Sequence, residues 1–209
     1  RVRRVLSTPQ LDLSGLIPRK PRTPKVIPKD IPATFRRIDE YPEVVMRYAM
    51  KIQFYAFLRS SETMGAKWSE FDFKKEEWHV PKDRMKMNRP HIVPLAPQML
   101  KLLKELKKIT GVTPYLFPSM HNEKAMSGDA LSKAFRSINL VIVPHGCRTA
   151  AGTWMRNNKY APHLVESQLS HVEKNQIAAA YQNEPHFLYL DERKIMLKSW
   201  AEWLFSKAM

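Results

Sequence analysis

Cysteine and long apolar runs are both scarce in this chain of 209 residues. The one cysteine, Cys147, has no partner for an internal disulfide and fits a reducing compartment. Zinc-binding Cys/His spacings are missing, so we expect neither a metal nor a cofactor. No apolar stretch approaches the roughly 20 residues of a membrane span, and the N-terminus has no apolar signal core. The sequence therefore predicts a cytoplasmic protein without a membrane partner, and the lack of an initiator methionine suggests a piece of a longer protein.

Acidic residues are also few, and basic residues dominate the charge. Lysine and arginine number 35 against 20 aspartates and glutamates, which gives a formal net charge of +15. Neutralisation of phosphates by lysine and arginine dominates affinity for nucleic acids, so a polyanionic partner is predicted. A basic surface with no such partner is the simpler alternative. A membrane surface is a weaker one, because no long basic amphipathic helix stands out.

Residues 1–32 are predicted to be a basic, proline-rich linker. Proline at this density disrupts helices and strand ladders and favours an extended chain. Two interpretations stay open with equal weight: a strap that lies along DNA, or a disordered tail.

Residues 33–209 are predicted to form one domain of the α+β class, mainly α with a small antiparallel β-sheet. Apolar residues at helical spacing predict helices near residues 44–56, 99–109, 131–138, 145–156, 161–169 and 187–207. We predict that Arg59 lies at the C-terminal end of the helix near residues 44–56. Alternating apolar residues predict strands around residues 68–73, 78–80 and 91–93. A polar stretch joins the last two strands, which places Lys86 on an exposed hairpin tip.

Six polar residues occur in an order and spacing typical of a metal-free site that cuts phosphodiesters. They are Arg59, Lys86, His145, Arg148, His171 and Tyr181. His145 and Arg148 lie one turn apart on one face of a predicted helix, and Tyr181 follows His171 by ten residues. Each residue alone has an ordinary interpretation, such as a solvated lysine or a packed tyrosine. Together, in a basic chain, they indicate catalysis.

The chemistry of phosphodiester cleavage explains why these residue types are needed. The transition state adds negative charge to the non-bridging oxygens, and Arg59 and Arg148 can hold two oxygens each and keep their charge. Tyr181 has a phenol with a pKa near 10, so it needs cationic neighbours or a base in order to attack. Lys86 can protonate the leaving 5′ oxygen. The two histidines can donate hydrogen bonds to phosphoryl oxygens or move the proton of the nucleophile.

The chain resembles the catalytic domain of the tyrosine recombinases, the phage-integrase family, and is most similar to the branch found in genomic islands and prophages. The matching motifs are Arg59–Glu62, Met85–Leu95, His145–Arg148, Gln168–Glu173, Ala179–Tyr181 and the tail Tyr189–Lys194. Ser170 stands where relatives commonly have glycine or alanine. The resemblance implies a tyrosine recombinase catalytic-domain fold.

The resemblance further implies site-specific integration or excision of double-stranded DNA at att-type sites, through a 3′-phosphotyrosyl link and without ATP. It implies a homotetramer on DNA, a monomer for the isolated fragment, and a location with the bacterial nucleoid. The family's N-terminal DNA-binding domains are not recognisable in residues 1–32. A type IB topoisomerase-like, resolvase or invertase role and a non-catalytic DNA-binding module remain alternatives. The last helix, 187–207, is expected to dock either on its own domain or on a neighbouring protomer.

Overall fold

The computed structural model of the chain describes residues 31–120, 124–138, 142–171 and 189–208. Helices α1 to α8 in these ranges span Ile31–Asp39, Val44–Ala56, Ser60–Met64, Pro97–Thr110, Gly128–Ser137, Pro144–Asn157, Pro162–Gln168 and Leu190–Ala208. Strands β1 to β3 span Phe71–Asp72, Glu77–Val80 and His91–Pro94, and 3-10 turns cover Trp68–Glu70 and Lys82–Arg84. The predicted class, mainly α with a small antiparallel sheet, is confirmed.

Residues 1–30 lie outside the described ranges, so the linker remains a prediction. Helix α1 begins at Ile31, two residues before the predicted boundary. Pro32 is compatible with that start, because the first turn of a helix needs no amide donor. Among the described residues, none of the helices has both the length and the apolar character needed to cross a membrane.

The three strands form an antiparallel sheet in the order β1-β2-β3. Trp78 in β2 lies opposite Phe71 on one side and Val93 on the other. The Phe71 and Trp78 rings stack with centroids 4.8 Å apart, and Trp78 is fully buried. The sheet therefore has a core-facing side, and its last strand follows directly from the loop that carries Lys86.

Helix α2 is the centre of the core. It contacts α1, α3, α4, α5, α6 and α8. Its side chains are buried on several faces, including Met50, Ile52 and Phe54. A helix surrounded in this way has an apolar surface nearly all round. The residues that follow the C-terminal end of α2 therefore extend from a packed interior.

Helix α8 docks on its own domain, which is one of the two predicted alternatives. Leu197, Trp200 and Leu204 are buried. The indole Nε1 of Trp200 donates a hydrogen bond of 2.9 Å to the carbonyl of Phe54 in α2. The Trp200 ring also packs against Trp154 of α6, with centroids 5.3 Å apart. The last helix thus belongs to the same core as the first two.

Candidate active site

Arg59 begins a short helix instead of ending a long one. Helix α2 ends at Ala56, and Phe57 adopts a left-handed backbone with φ of 57°. Residues other than glycine rarely occupy this region because of their Cβ atom. The buried Phe57 ring packs against Trp200, with centroids 5.8 Å apart, and this contact stabilises the turn. The prediction that Arg59 ends α2 is therefore wrong: the chain turns at Phe57, and Arg59 sits at the N-terminus of α3.

The buried carboxylate of Glu62 orients Arg59 and the chain at Lys86. Its Oε1 accepts hydrogen bonds from Arg59 Nη1 at 2.9 Å and from the Lys86 backbone amide at 3.2 Å. Its Oε2 accepts from the Arg59 backbone amide at 2.8 Å. The Glu62 side chain is only 1% exposed, so these bonds are shielded from water. Glu62 was not among the predicted site residues, although its spacing of three from Arg59 is the signal that could have identified it.

Arg148 is buried in α6 and joins two separate turns. Its Nη1 donates to the carbonyl of Phe57, and its Nη2 donates to the carbonyl of Leu169 at 2.7 Å. Burial, and then the charge of Arg59, lower the pKa of Arg148 to about 10. The guanidinium is therefore still charged at neutral pH. It fixes the turn before Arg59 against the end of α7, where His171 follows.

His145 is the second residue of α6, one turn before Arg148 as predicted. Partial burial, followed by the charges of Arg148, Arg59 and His171, lowers its pKa below the ordinary value. At neutral pH the ring is therefore mainly neutral. A neutral imidazole has one donor and one acceptor nitrogen, so it can pass a proton as well as hold an oxygen.

His171 is oriented by Glu166 of α7. Its Nδ1 lies 2.5 Å from Glu166 Oε2, and its backbone amide donates to the Glu166 carbonyl at 3.0 Å. Burial would raise the pKa of Glu166, but hydrogen bonds from His171 and Arg156 lower it overall. The carboxylate is thus ionised and keeps Nδ1 engaged, which leaves Nε2 for a ligand. Ser170 has φ of 50°, a left-handed conformation that glycine adopts without strain.

Lys86 lies in the loop between β2 and β3, and its side chain is exposed as predicted. The loop is less free than a hairpin tip, however. Met85 is buried, and Arg84 donates to the Glu70 carboxylate and to the Glu62 carbonyl. The Lys86 amine therefore extends from an anchored backbone that is bonded to the same carboxylate as Arg59.

The structure brings together four of the six predicted residues and the backbone of a fifth. Four of them interact electrostatically around one point, namely Arg59, His145, Arg148 and His171. Lys86 is tied to the group through its backbone bond to Glu62. Tyr181 lies outside the described residues, so its position remains a prediction. Within the described ranges, no three His, Cys, Asp or Glu side chains are grouped so that they could hold a metal ion.

We expect Glu62→Gln to slow DNA cleavage about tenfold and to lower the free energy of unfolding by about 1–3 kcal/mol. The amide keeps the shape of the carboxylate but loses its charge and replaces one acceptor by a donor, so the three bonds cannot all persist. Single-turnover cleavage and thermal unfolding would measure the two effects. Glu202→Gln, on an exposed position of α8, is the control. A wild-type cleavage rate in Glu62→Gln would contradict the orienting role.

A mainly helical domain that concentrates arginine and histidine around one point is suited to an anionic, phosphate-containing substrate. The profile of the phage integrase family matches residues 28–186, and the chain belongs to this family. The integrase of Enterobacteria phage P4 is 36% identical over 219 aligned residues, covering 95% of this chain and 49% of that protein. Prophage integrase IntA of Escherichia coli K12 is 31% identical over 189 residues, covering 88% of this chain and 45% of that protein.

Solved structures give the same assignment of the fold. A lambda integrase tetramer bound to a Holliday junction superposes with a TM-score of 0.60 at 15% identity, covering 75% of this chain and 49% of that one. This likeness confirms the predicted tyrosine recombinase fold. The chain spans about half the length of the curated relatives it matches.

Proposed function

We propose that this chain is the catalytic domain of a site-specific DNA recombinase that integrates and excises DNA. The observation that carries the proposal is the clustering of Arg59 and Arg148 with two histidines, in a chain of the phage integrase family. Two guanidinium groups can neutralise the charge that develops on a phosphate during attack. The +15 charge of the chain favours a polyanion such as DNA.

In the proposed reaction, the hydroxyl of Tyr181 attacks a DNA phosphate. A bond forms between the tyrosine oxygen and phosphorus, and the bond from phosphorus to the 5′ oxygen breaks. The tyrosine proton passes to a histidine, and Lys86 gives a proton to the 5′ oxygen, which leaves as a hydroxyl. A 5′ hydroxyl from the partner strand then attacks the phosphorus of the 3′-phosphotyrosyl link. The bond from phosphorus to the tyrosine oxygen breaks, the attacking hydroxyl loses its proton to the site, and the tyrosine oxygen takes one up, which restores the phenol and rejoins the DNA. One phosphodiester is exchanged for another, so no ATP is consumed.

The proposed partners are double-stranded DNA with att-type sites and three further copies of the recombinase, which together form a tetramer on DNA. The lambda integrase tetramer on a Holliday junction supports this assembly by its similarity of fold. Without DNA the isolated chain is proposed to be a monomer. The proposed location is the bacterial cytoplasm, in association with the nucleoid.

Covalent trapping on a nicked att-like duplex, in buffer with excess EDTA, tests the function and its metal independence together. The short strand beyond the cut diffuses away and so prevents religation. We expect a protein–DNA adduct of the same yield with and without chelator, because arginine and lysine supply the positive charge that a metal would bring. An adduct that disappears in EDTA and returns with magnesium would contradict the mechanism.

Two further results would separate the alternatives. Absence of an adduct under every condition would favour a DNA-binding module without catalysis. An adduct without exchange of strands between two duplexes would favour a topoisomerase-like role. Recombinant product from two different sites is the result we expect.

A further inference from the structure

Arg193, in the first turn of α8, is a fully buried charge outside the predicted site. Burying a guanidinium is unfavourable unless its donors are hydrogen-bonded. Its Nε donates to Gln168 Oε1 at 3.0 Å, and its Nη2 donates to the carbonyl of Ile92. Burial lowers the pKa of Arg193 to about 10, so it remains charged at neutral pH. The fold thus retains a charged group where an apolar one would pack more simply.

The partners of Arg193 belong to the elements that carry the predicted catalytic residues. Gln168 is the last residue of α7, three positions before His171. Ile92 lies in β3, six positions after Lys86. Arg193 itself follows Tyr181 by twelve positions. One guanidinium therefore joins the helix that follows the Tyr181 segment to the helix that precedes it, and also bonds the strand that follows the Lys86 loop.

A second contact ties the same two flanks together. The rings of His163 in α7 and Tyr189, immediately before α8, have centroids 4.5 Å apart. Tyr189 has a left-handed backbone with φ of 55°, and its carbonyl accepts a bond of 2.8 Å from the Arg193 amide. The entry to α8 is thus fixed against α7 by this ring contact and by the hydrogen bond from the Arg193 guanidinium to Gln168.

We propose that Arg193 is a positioning residue for the cleavage reaction, which sets the two ends of the Tyr181-bearing segment relative to α7 and β3. The inference rests on the proposed function. Arginine is required because its planar fork serves two acceptors in different directions, whereas the single ammonium of lysine cannot match that geometry. Small errors in the placement of a reacting group are costly for rate, since a displacement of about 1 Å reduces it roughly 100-fold.

The test compares Arg193→Met with Leu197→Ala in the intact recombinase. Leu197 lies one turn further along α8 and is buried without a polar role, so its truncation weakens the packing of the same helix. Single-turnover cleavage of a nicked duplex is measured at saturating protein, at a temperature where both variants are folded. DNA affinity and melting temperature are measured beside it. Arg193→Met should lose about 100-fold in rate with unchanged DNA affinity. Leu197→Ala should lower the melting temperature and keep the wild-type rate.

Three further variants keep the test decisive. If Arg193→Met does not fold, Arg193→Lys preserves the charge and should still cleave more slowly than wild type at equal DNA affinity. Gln168→Leu should also slow cleavage. The double variant Gln168→Leu/Arg193→Met should be no slower than Arg193→Met alone, because Arg193→Met already removes the hydrogen bond between the two side chains.

The outcomes distinguish this inference from the proposed function. Wild-type protein that forms no adduct would overturn both. Wild-type protein that cleaves, together with Arg193 variants that cleave at the same rate, would overturn the positioning role alone. Rate losses that simply follow the melting temperature in every variant, Leu197→Ala included, would also overturn it.

Discussion

Replacing Tyr181 by phenylalanine is expected to abolish the covalent protein–DNA adduct while DNA affinity stays close to that of wild type. Phenylalanine retains the ring but has no oxygen to attack phosphorus, and no other predicted site residue carries a hydroxyl. The nicked duplex used for trapping gives a direct readout, since the adduct migrates as a distinct species in a denaturing gel. DNA affinity is measured on the same duplex without denaturation.

A control tyrosine is available within the same domain. Tyr160 packs against Trp154 with ring centroids 6.1 Å apart, and Tyr160→Phe should leave the yield of adduct unchanged. An adduct that persists in Tyr181→Phe and disappears in Tyr160→Phe would show that the nucleophile is Tyr160 and not Tyr181. An adduct in both variants would place the nucleophile elsewhere again.

Arg148→Lys is expected to have the second largest effect, because Arg148 combines its proposed catalytic charge with structural hydrogen bonds. Lysine keeps one positive charge but cannot bond the carbonyls of Phe57 and Leu169 together. Loss of one preorganised donor to a developing oxyanion lowers cleavage about 10²–10³-fold. The buried carbonyl left without a donor lowers the free energy of unfolding by about 1–3 kcal/mol.

The matched control is Arg136→Lys on the exposed part of α5. This substitution preserves charge at a position without buried hydrogen bonds, so cleavage and stability should both remain at wild-type values. Single-turnover rates and chemical denaturation would be measured for both variants. Arg148→Lys that loses stability but cleaves at the wild-type rate would reduce Arg148 to a structural residue and contradict its place in the phosphate clamp.

Periodicity in the sequence was enough to predict six of the eight helices in the described ranges and the three strands, whereas α1 and α3 were not among the predicted helices. The strands at Trp78 and Val93 and the helices at Leu103 and Phe135 follow from local spacing alone. The turn before Arg59 does not. Phe57 reaches its left-handed conformation through a ring contact with Trp200, which lies far away in the sequence, and no local pattern signals that contact.

The same distinction separates the reacting groups from the groups that hold them. Five of the predicted site residues lie in the described part of the chain, and their residue types follow from the chemistry of phosphate. Glu166 and Arg193 were not predicted, because their importance comes from partners that the fold supplies. Glu62 was not predicted either, although its spacing of three from Arg59 is a local signal. Lys86 illustrates both cases: its exposure follows from a polar loop, whereas the anchoring of that loop by Arg84 does not.

The docking of α8 has a consequence for the order in which the domain matures. Helix α2 is synthesised well before Trp200. The Phe57 ring and the Phe54 carbonyl therefore lack their contacts with Trp200 until α8 has been made. The turn that presents Arg59 is completed by a contact made late in translation. A nascent chain that contains Tyr181 but not yet Trp200 lacks the contact that completes the turn before Arg59. The arrangement that the proposed cleavage requires is therefore complete only after α8 has folded back onto α2.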